Sequence, residues 1–251
     1  MHKGAGERIA FKEVLSMKYL YYIKKFWLLY LVVAGIAVAA TVGAEQAVTV
    51  IAENSPIERE LTIVIDAGHG GVDGGAVSCT GITESALNLQ IALKLRDLCH
   101  LLGYKTLMIR TSDESVYTEG NTIAAKKVSD LKQRVRMVTQ TQDALLISIH
   151  QNFFPDGQYS GAQVFYNSEA QAKALAEAMQ HLFVNTINPG SNRKCKKADG
   201  VYLMQQIDRP GVLVECGFLS NPQEEALLQD RGYQQKICCV IVSALSSFLN
   251  T

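Results

Sequence analysis

Beyond residue 60 the chain alternates between two hydrophobic rhythms. Leu61–Asp66 (LTIVID) is a short β-branched run of the kind used by a strand covered on both faces. From Thr83 to Leu102, apolar residues Leu87, Ile91, Leu95 and Leu98 recur at helical spacing, with Glu84 in the first turn and Gly103 just past the end. The alternation continues with strands over Tyr104–Ile109, Ala144–Ile149 and Ala162–Tyr166, and helices over Ser129–Gln140 and Ala170–Phe183. Val201–Met204 and Val212–Cys216 read as the last strands. A closing helix from about Tyr233 to Leu249 places Ile237, Ile241, Ala244, Leu245 and Phe248 on one face. Strands separated by helices need crossover connections. The pattern therefore predicts a single α/β domain over residues 61–251, a mainly parallel twisted sheet of about six strands with helices on both faces. The stretch Thr111–Lys127 is long for a connection and is expected to form a mobile rim of a site.

The segment before this domain has a different pattern. Residues 1–25 form a basic N-region that includes Lys18, Lys24 and Lys25, and Phe26–Ala44 is a run of 19 residues without a formal charge. Basic flank, apolar stretch and small residues at its end are what the secretory machinery reads, with Val42-Gly43-Ala44 suited to a signal peptidase. The same 19 residues, at about 1.5 Å each, also just span a bilayer core. The run is therefore either a cleaved signal peptide or a retained transmembrane anchor, residues 45–60 are a linker, and the remainder is expected to act outside the cytoplasm. Met17 directly precedes this pattern, so residues 1–16 read as either an upstream extension or a misassigned start.

Charge adds an exclusion. The 24 Lys and Arg cancel the 24 Asp and Glu, so bulk charge gives no reason to expect nucleic acid or an anionic bilayer as a partner. Function must reside in a local site. Of six cysteines, Cys99, Cys216, Cys238 and Cys239 lie in apolar segments, and no C-x-x-C occurs. They read as buried free thiols rather than a disulfide framework or a metal centre.

In open parallel sheets ligands bind beyond the carboxyl ends of the strands. There the sequence places His69 after the first strand, His150 after the third and Glu215 in the last. Glu84 opens the helix after the first strand, so a short loop returns it to the same rim. Two imidazoles and a carboxylate are the ligand set of an open catalytic zinc site, and a second carboxylate can take a proton from water and return it to a leaving amine. That gives His69, Glu84 and His150 as ligands of one Zn²⁺ and Glu215 as general base and acid. The glycines around His69 are expected to let the backbone turn tightly and leave room for a bulky substrate. The bland readings are a structural histidine at a strand end and a glutamate complementing a helix dipole. Nucleotide binding does not fit, since Asp73 stands where G-x-G-x-x-G requires its third glycine. A Cys–His hydrolase on Cys216 and His150 is disfavoured because Cys216 and Glu215 are adjacent on a strand and face opposite ways. His100 and His181 read as structural or solvated, and Arg134, Arg209 and Asn152 either as groups that contact substrate or support the metal ligands, or as solvated or structural groups.

Four stretches, IDAGHGGVDGGA (65–76), GITE (81–84), LLISIHQN (145–152) and VLVECGFLSNPQEEALL (212–228), resemble the zinc-dependent N-acetylmuramoyl-L-alanine amidases of bacterial cell walls, the amidase type 3 family, in order and spacing. The resemblance covers residues 61–250. It implies zinc on His69, Glu84 and His150, Glu215 as the catalytic glutamate, and cleavage of the amide joining the lactyl group of N-acetylmuramic acid to L-alanine of the stem peptide. Ser129–Arg134, Ser160–Gln163 and Gly200–Gln205 are similar to the germination-specific members of spore formers. That implies removal of stem peptides from cortex peptidoglycan before muramic-δ-lactam forms, in the forespore intermembrane space. Ala67 departs from a common proline, which loosens the turn presenting His69 unless its surroundings compensate; Cys216 departs from a common Gly or Ala. With no wall-binding repeats in the sequence, targeting by the N-terminal segment, through the membrane if it is uncleaved, and by an accessory protein is expected. A zinc peptidase and a non-catalytic wall protein are the rival readings.

Overall fold

In the computed structural model, residues 61–250 are described; the signal or anchor expected at 26–44 and the linker at 45–60 lie outside them. Six strands form one sheet: β1 (Thr62–Ala67), β2 (Lys105–Met108), β3 (Ala144–Asn152), β4 (Gln163–Tyr166), β5 (Lys196–Lys197) and β6 (Gly211–Phe218). Their order is β2-β1-β3-β6-β4-β5, parallel throughout except for the antiparallel β4–β6 pair. The helices are α1 (Glu84–Leu101), α2 (Ile123–Gln140), α3 (Ala170–Thr186), α4 (Tyr202–Gln206), α5 (Pro222–Gln229) and α6 (Arg231–Leu249).

Strand alternation splits the core in two. Ile63, Ile65, Leu145, Ile147, Ile149, Val212 and Val214 face α1, α3, α5 and α6, whereas Val64, Leu146 and Leu213 face α2 and α4. The second face is apolar only over its lower half. Towards the carboxyl ends its positions become Asp66, Ser148, His150 and Glu215, in register across β1, β3 and β6. The site is thus the polar continuation of a small core.

The structure corrects several sequence expectations. Val201–Met204 is not a strand: after Gly200 (φ +84°) the chain turns into α4. Leu203 and Met204, adjacent in sequence, are both buried, which a helix turn permits and a one-faced strand does not. α2 begins six residues before Ser129, capped by Thr122, whose hydroxyl accepts from Ala125 N at 3.1 Å. Its first two turns escape the apolar pattern because Ile123 and Val128 point to solvent. β3 runs on to Asn152, with a register irregularity between His150 and Asn152, so His150 lies within the strand. α5 was hidden in a polar stretch but carries its own start signal, Asn221 as cap and Pro222 in the first turn. Cys99, Cys216 and Cys238 are buried free thiols as expected, whereas Cys239 is exposed on the outer side of α6.

Candidate metal centre

Each site residue is presented by a different device. His69 follows β1 in a tight turn, closed by Gly70 N to Asp73 O at 2.8 Å and Asp73 N to Gly70 O at 3.1 Å. Its backbone is left-handed (φ +61°), an uncommon state for a side chain with a Cβ. Glu84 is the first residue of α1, where the helix dipole favours a carboxylate. His150 and Glu215 are paired in the β3–β6 register and so project from the same face.

These placements converge. One ligand atom from each of His69, Glu84 and His150 lies within 4.8 Å of the others. His69 Nε2 is 3.2 Å from Glu84 Oε2, His150 Nδ1 is 3.0 Å from Glu84 Oε1, and the two rings meet edge to face with centroids 5.0 Å apart. Glu84 is nearly buried, with 6% of its side chain exposed, while His69 and His150 keep 22% and 20%. The two imidazoles line a cavity of about 270 Å³ whose lining also includes Asp66, Lys127 and Tyr202.

Supporting groups hold the donors in these orientations. Asp73 Oδ2 sits 2.9 Å from His69 Nδ1, leaving Nε2 for a cation, and Asp73 is itself paired with Lys127 Nζ at 3.0 Å. The Glu84 carboxylate accepts from Ala76 N (3.1 Å), Gln151 N (3.1 Å) and Asn88 Nδ2 (3.2 Å). Burial pushes the Glu84 carboxyl up, but the hydrogen bonds and charge of His150 and His69 outweigh it and hold it far below the ordinary range. For His69, burial acts downward and Glu84 and Asp73 outweigh it upward. A pocket that favours positive charge beside two imidazoles and a carboxylate suits a divalent metal.

Glu215 is in a different environment. Its Oε2 is buried without a hydrogen-bond partner. Burial, with His150 and His69 opposing and Glu84 reinforcing it, pushes the carboxyl up to about 7. A carboxyl poised there exchanges protons readily near neutral pH. Cys216 points the other way into the apolar core, its thiol raised well above the ordinary value by burial, so it offers no nucleophile here.

The glycines serve the ligands more than the substrate. A Cβ on Gly68 would lie 2.2 Å from His150 Nε2, and one on Gly75 (φ +68°) 2.6 Å from Glu84 Oε2. The space next to Gly68 is filled by the imidazole, a correction to the expectation of substrate room.

Of the less certain sequence candidates, Arg134 is fully enlisted. It is buried, pairs with Asp66 and Asp130, and donates to Ala67 O at 3.0 Å and His69 O at 2.7 Å. Arg110, not noticed in the sequence, donates to Ala67 O (2.8 Å), Gly68 O (3.1 Å) and Ser85 O (2.8 Å). The turn that lacks the common proline is thus pinned by two guanidinium groups. Arg209 precedes β6, at the end of the strand away from Glu215, and Asn152 ends β3, its carbonyl accepting from Leu219 N. His100 and His181 are exposed and far from the cluster in sequence context, bonded to Thr106 and Asn185. Asp73, Asn88, Lys127 and Gln151 were also missed; only Asn88, one helical turn after Glu84, carried a spacing signal.

Residues 63–247, which hold all of the sheet but Thr62 together with His69, Glu84, His150 and Glu215, match the Amidase_3 family, N-acetylmuramoyl-L-alanine amidase; the chain belongs to that family. It is an amidase acting on peptidoglycan, at the bond between N-acetylmuramic acid and L-alanine. Among particular proteins, it is 38% identical over 189 residues to the germination-specific N-acetylmuramoyl-L-alanine amidase of Bacillus subtilis, covering 73% of this chain and 77% of that one. Its fold matches the CwlD amidase of Clostridioides difficile, solved in complex with the GerS lipoprotein, with TM-score 0.73 and 37% identity over 75% of this chain and 98% of that one. The N-acetylmuramoyl-L-alanine amidase LytC of Bacillus subtilis is 28% identical over 77% of this chain but only 36% of its own length.

Proposed function

We propose that this amidase holds one zinc ion on His69, Glu84 and His150, uses Glu215 as its proton carrier, and removes stem peptides from spore cortex as the step before muramic-δ-lactam formation. The observation that carries the chemistry is the meeting of three donors within 4.8 Å beside a buried glutamate with an unpartnered oxygen. When bound, zinc supplies Lewis acidity that acidifies water and polarises the amide carbonyl. Glu215 takes the proton of the attacking water and delivers it to the alanine nitrogen as the C–N bond breaks. Burial, which raises the Glu215 carboxyl, favours its taking up that proton. Asp73 fixes the His69 ring and Asn88 the Glu84 carboxylate throughout. The products are a lactyl carboxylate on the glycan and a peptide with a free amino terminus.

The cortex assignment is supported by the similarity to the germination-specific amidase of Bacillus subtilis and to CwlD. A relative named as a probable cell wall amidase, LytH of Staphylococcus epidermidis, supports action outside the cytoplasm. The complex of CwlD with a lipoprotein supports an accessory protein for this chain too, delivering it to the cortex together with the N-terminal segment.

Three variants separate the roles. Glu215→Gln is expected to lose at least ~10² in rate while keeping about one zinc per chain. His69→Ala and His150→Ala are expected to lose metal and activity together. Stoichiometric zinc in both histidine variants, measured by elemental analysis, contradicts the ligand set; an active Glu215→Gln contradicts its role.

A further inference from the structure

A groove of about 590 Å³ runs between the Gln158–Ser160 turn and residues 191–196. One wall carries a tyrosine backed by two phenylalanines that do not line the groove themselves. Tyr159, 44% exposed, meets Phe154 edge-on at 4.9 Å and stacks against Phe218 at 6.2 Å. The other wall is basic, made by Arg193, Lys194 and Lys196. Between them lies Gln163, which pairs with Glu215 across β4 and β6. Residues paired in this way share a face, and neighbouring strands lie about 4.8 Å apart, so the groove opens one strand away from the proposed proton carrier.

The walls are built in place. Phe154 N donates to Ser220 Oγ at 3.1 Å, Asn221 Nδ2 to Tyr159 O at 3.2 Å, and Gly161 N to the buried Glu224 Oε1 at 2.8 Å. Arg193 donates through Nε to Ser160 O at 2.7 Å and through Nη1 to Gln163 Oε1 at 2.9 Å, with its guanidinium 4.7 Å from the centre of the Phe218 ring. Among the described residues, none of Arg193, Lys194 and Lys196 has a carboxylate within 4.0 Å. Lysines on an edge strand also discourage strand pairing, which accounts for Lys197 outside the groove. It does not account for an arginine locked in orientation beside an exposed tyrosine. Lys194 and Lys196, with no carboxylate of the described residues within 4.0 Å, flank an arginine whose guanidinium is held by Ser160, Gln163 and Phe218 and faces the charge of Glu224, and this basic wall complements an anionic chain one strand away from Glu215.

We propose that this groove binds the free carboxylates of the stem peptide and makes the enzyme prefer acidic over amidated stems. The proposal rests on the amidase reading above and names the part of the substrate that the groove takes. The test uses the full chain and two synthetic muramoyl peptides identical except that the stem carboxylates are free in one and amidated in the other. The wild type is expected to show the higher kcat/KM on the free acid. In the Lys194→Gln/Lys196→Gln variant, with Arg193 left to hold the loop, that preference is expected to shrink roughly three- to ten-fold, the loss falling on KM and also produced by high salt. Equal kcat/KM for the two compounds in the wild type, or an undiminished preference in the variant, overturns the groove assignment while leaving the amidase reading standing. Failure of the wild type to cut either compound overturns the amidase reading itself.

Discussion

At the scale of single residues, the least expected feature is how the His69 turn is held. A histidine in the left-handed region is strained on the order of 1–3 kcal/mol and persists only where its surroundings over-determine it. Here they do, through Arg110 and Arg134 on the carbonyls of Ala67, Gly68 and His69. A guanidinium makes several fixed hydrogen bonds at once, which an ammonium cannot. Arg110→Lys is therefore expected to fold but to bind zinc about 10- to 100-fold more weakly, as loss of an orienting group does. Competition with a chelator measures this, and an unchanged zinc affinity would show that the turn holds without Arg110. Arg134 was open in the sequence as a group supporting the ligands, whereas Arg110 was not legible, because a side chain bonded to distant backbone carbonyls leaves no spacing in sequence. His69, Glu84, His150 and Glu215 stood out because each carries its chemistry at a strand or helix end, where local pattern locates it. Asp73 and Lys127 fall between, recognisable as charges but paired only through the fold.

At the scale of elements, β1, β3 and α2 are joined by a buried polar knot. Asp66 on β1 pairs with Arg134 of α2 and accepts from Ser148 Oγ of β3 at 2.6 Å. Burial pushes the Asp66 carboxyl up, yet the charge of Arg134, aided by His150 and the Ser148 hydroxyl, outweighs it and holds it below the ordinary range. The folded state thus takes up that proton less readily than the unfolded chain. Its contribution to stability is full above the unfolded value of about 4 and is lost as pH falls through the lower folded value. Thermal unfolding is expected to show wild type losing more stability than Asp66→Asn between about pH 5 and pH 3, although the variant starts less stable at neutral pH. Parallel pH profiles for the two proteins would contradict it. The elements themselves were mostly readable, since β1, β3, β6, α1 and α6 each follow one hydrophobic period. α4 was misread because a five-residue helix has too few turns to declare a period. β5, two residues long, exists only through its pairing with β4.

At the scale of the whole molecule, one sheet separates two tasks. The face under α1, α3, α5 and α6 is a continuous apolar core, and the face under α2 and α4 gives up its upper half to polar residues, a buried arginine and the cavity beside His69 and His150. Positions that a purely structural domain fills with apolar side chains are Asp66, Ser148, His150 and Glu215 here. Such a concentration of ionisable groups at strand ends marks a catalytic rather than a scaffolding role. The central claim is that these groups cut one bond, between the lactyl group and L-alanine, in cortex glycan. The measurement that tests it most directly is mass spectrometry of spore cortex peptidoglycan before and after incubation with the zinc-loaded full chain. Intact stem peptides with free N-terminal alanine, together with muramic acid bearing a free lactyl carboxyl, are the expected products. Cuts within the stem peptide, with alanine still attached to the glycan, would contradict it.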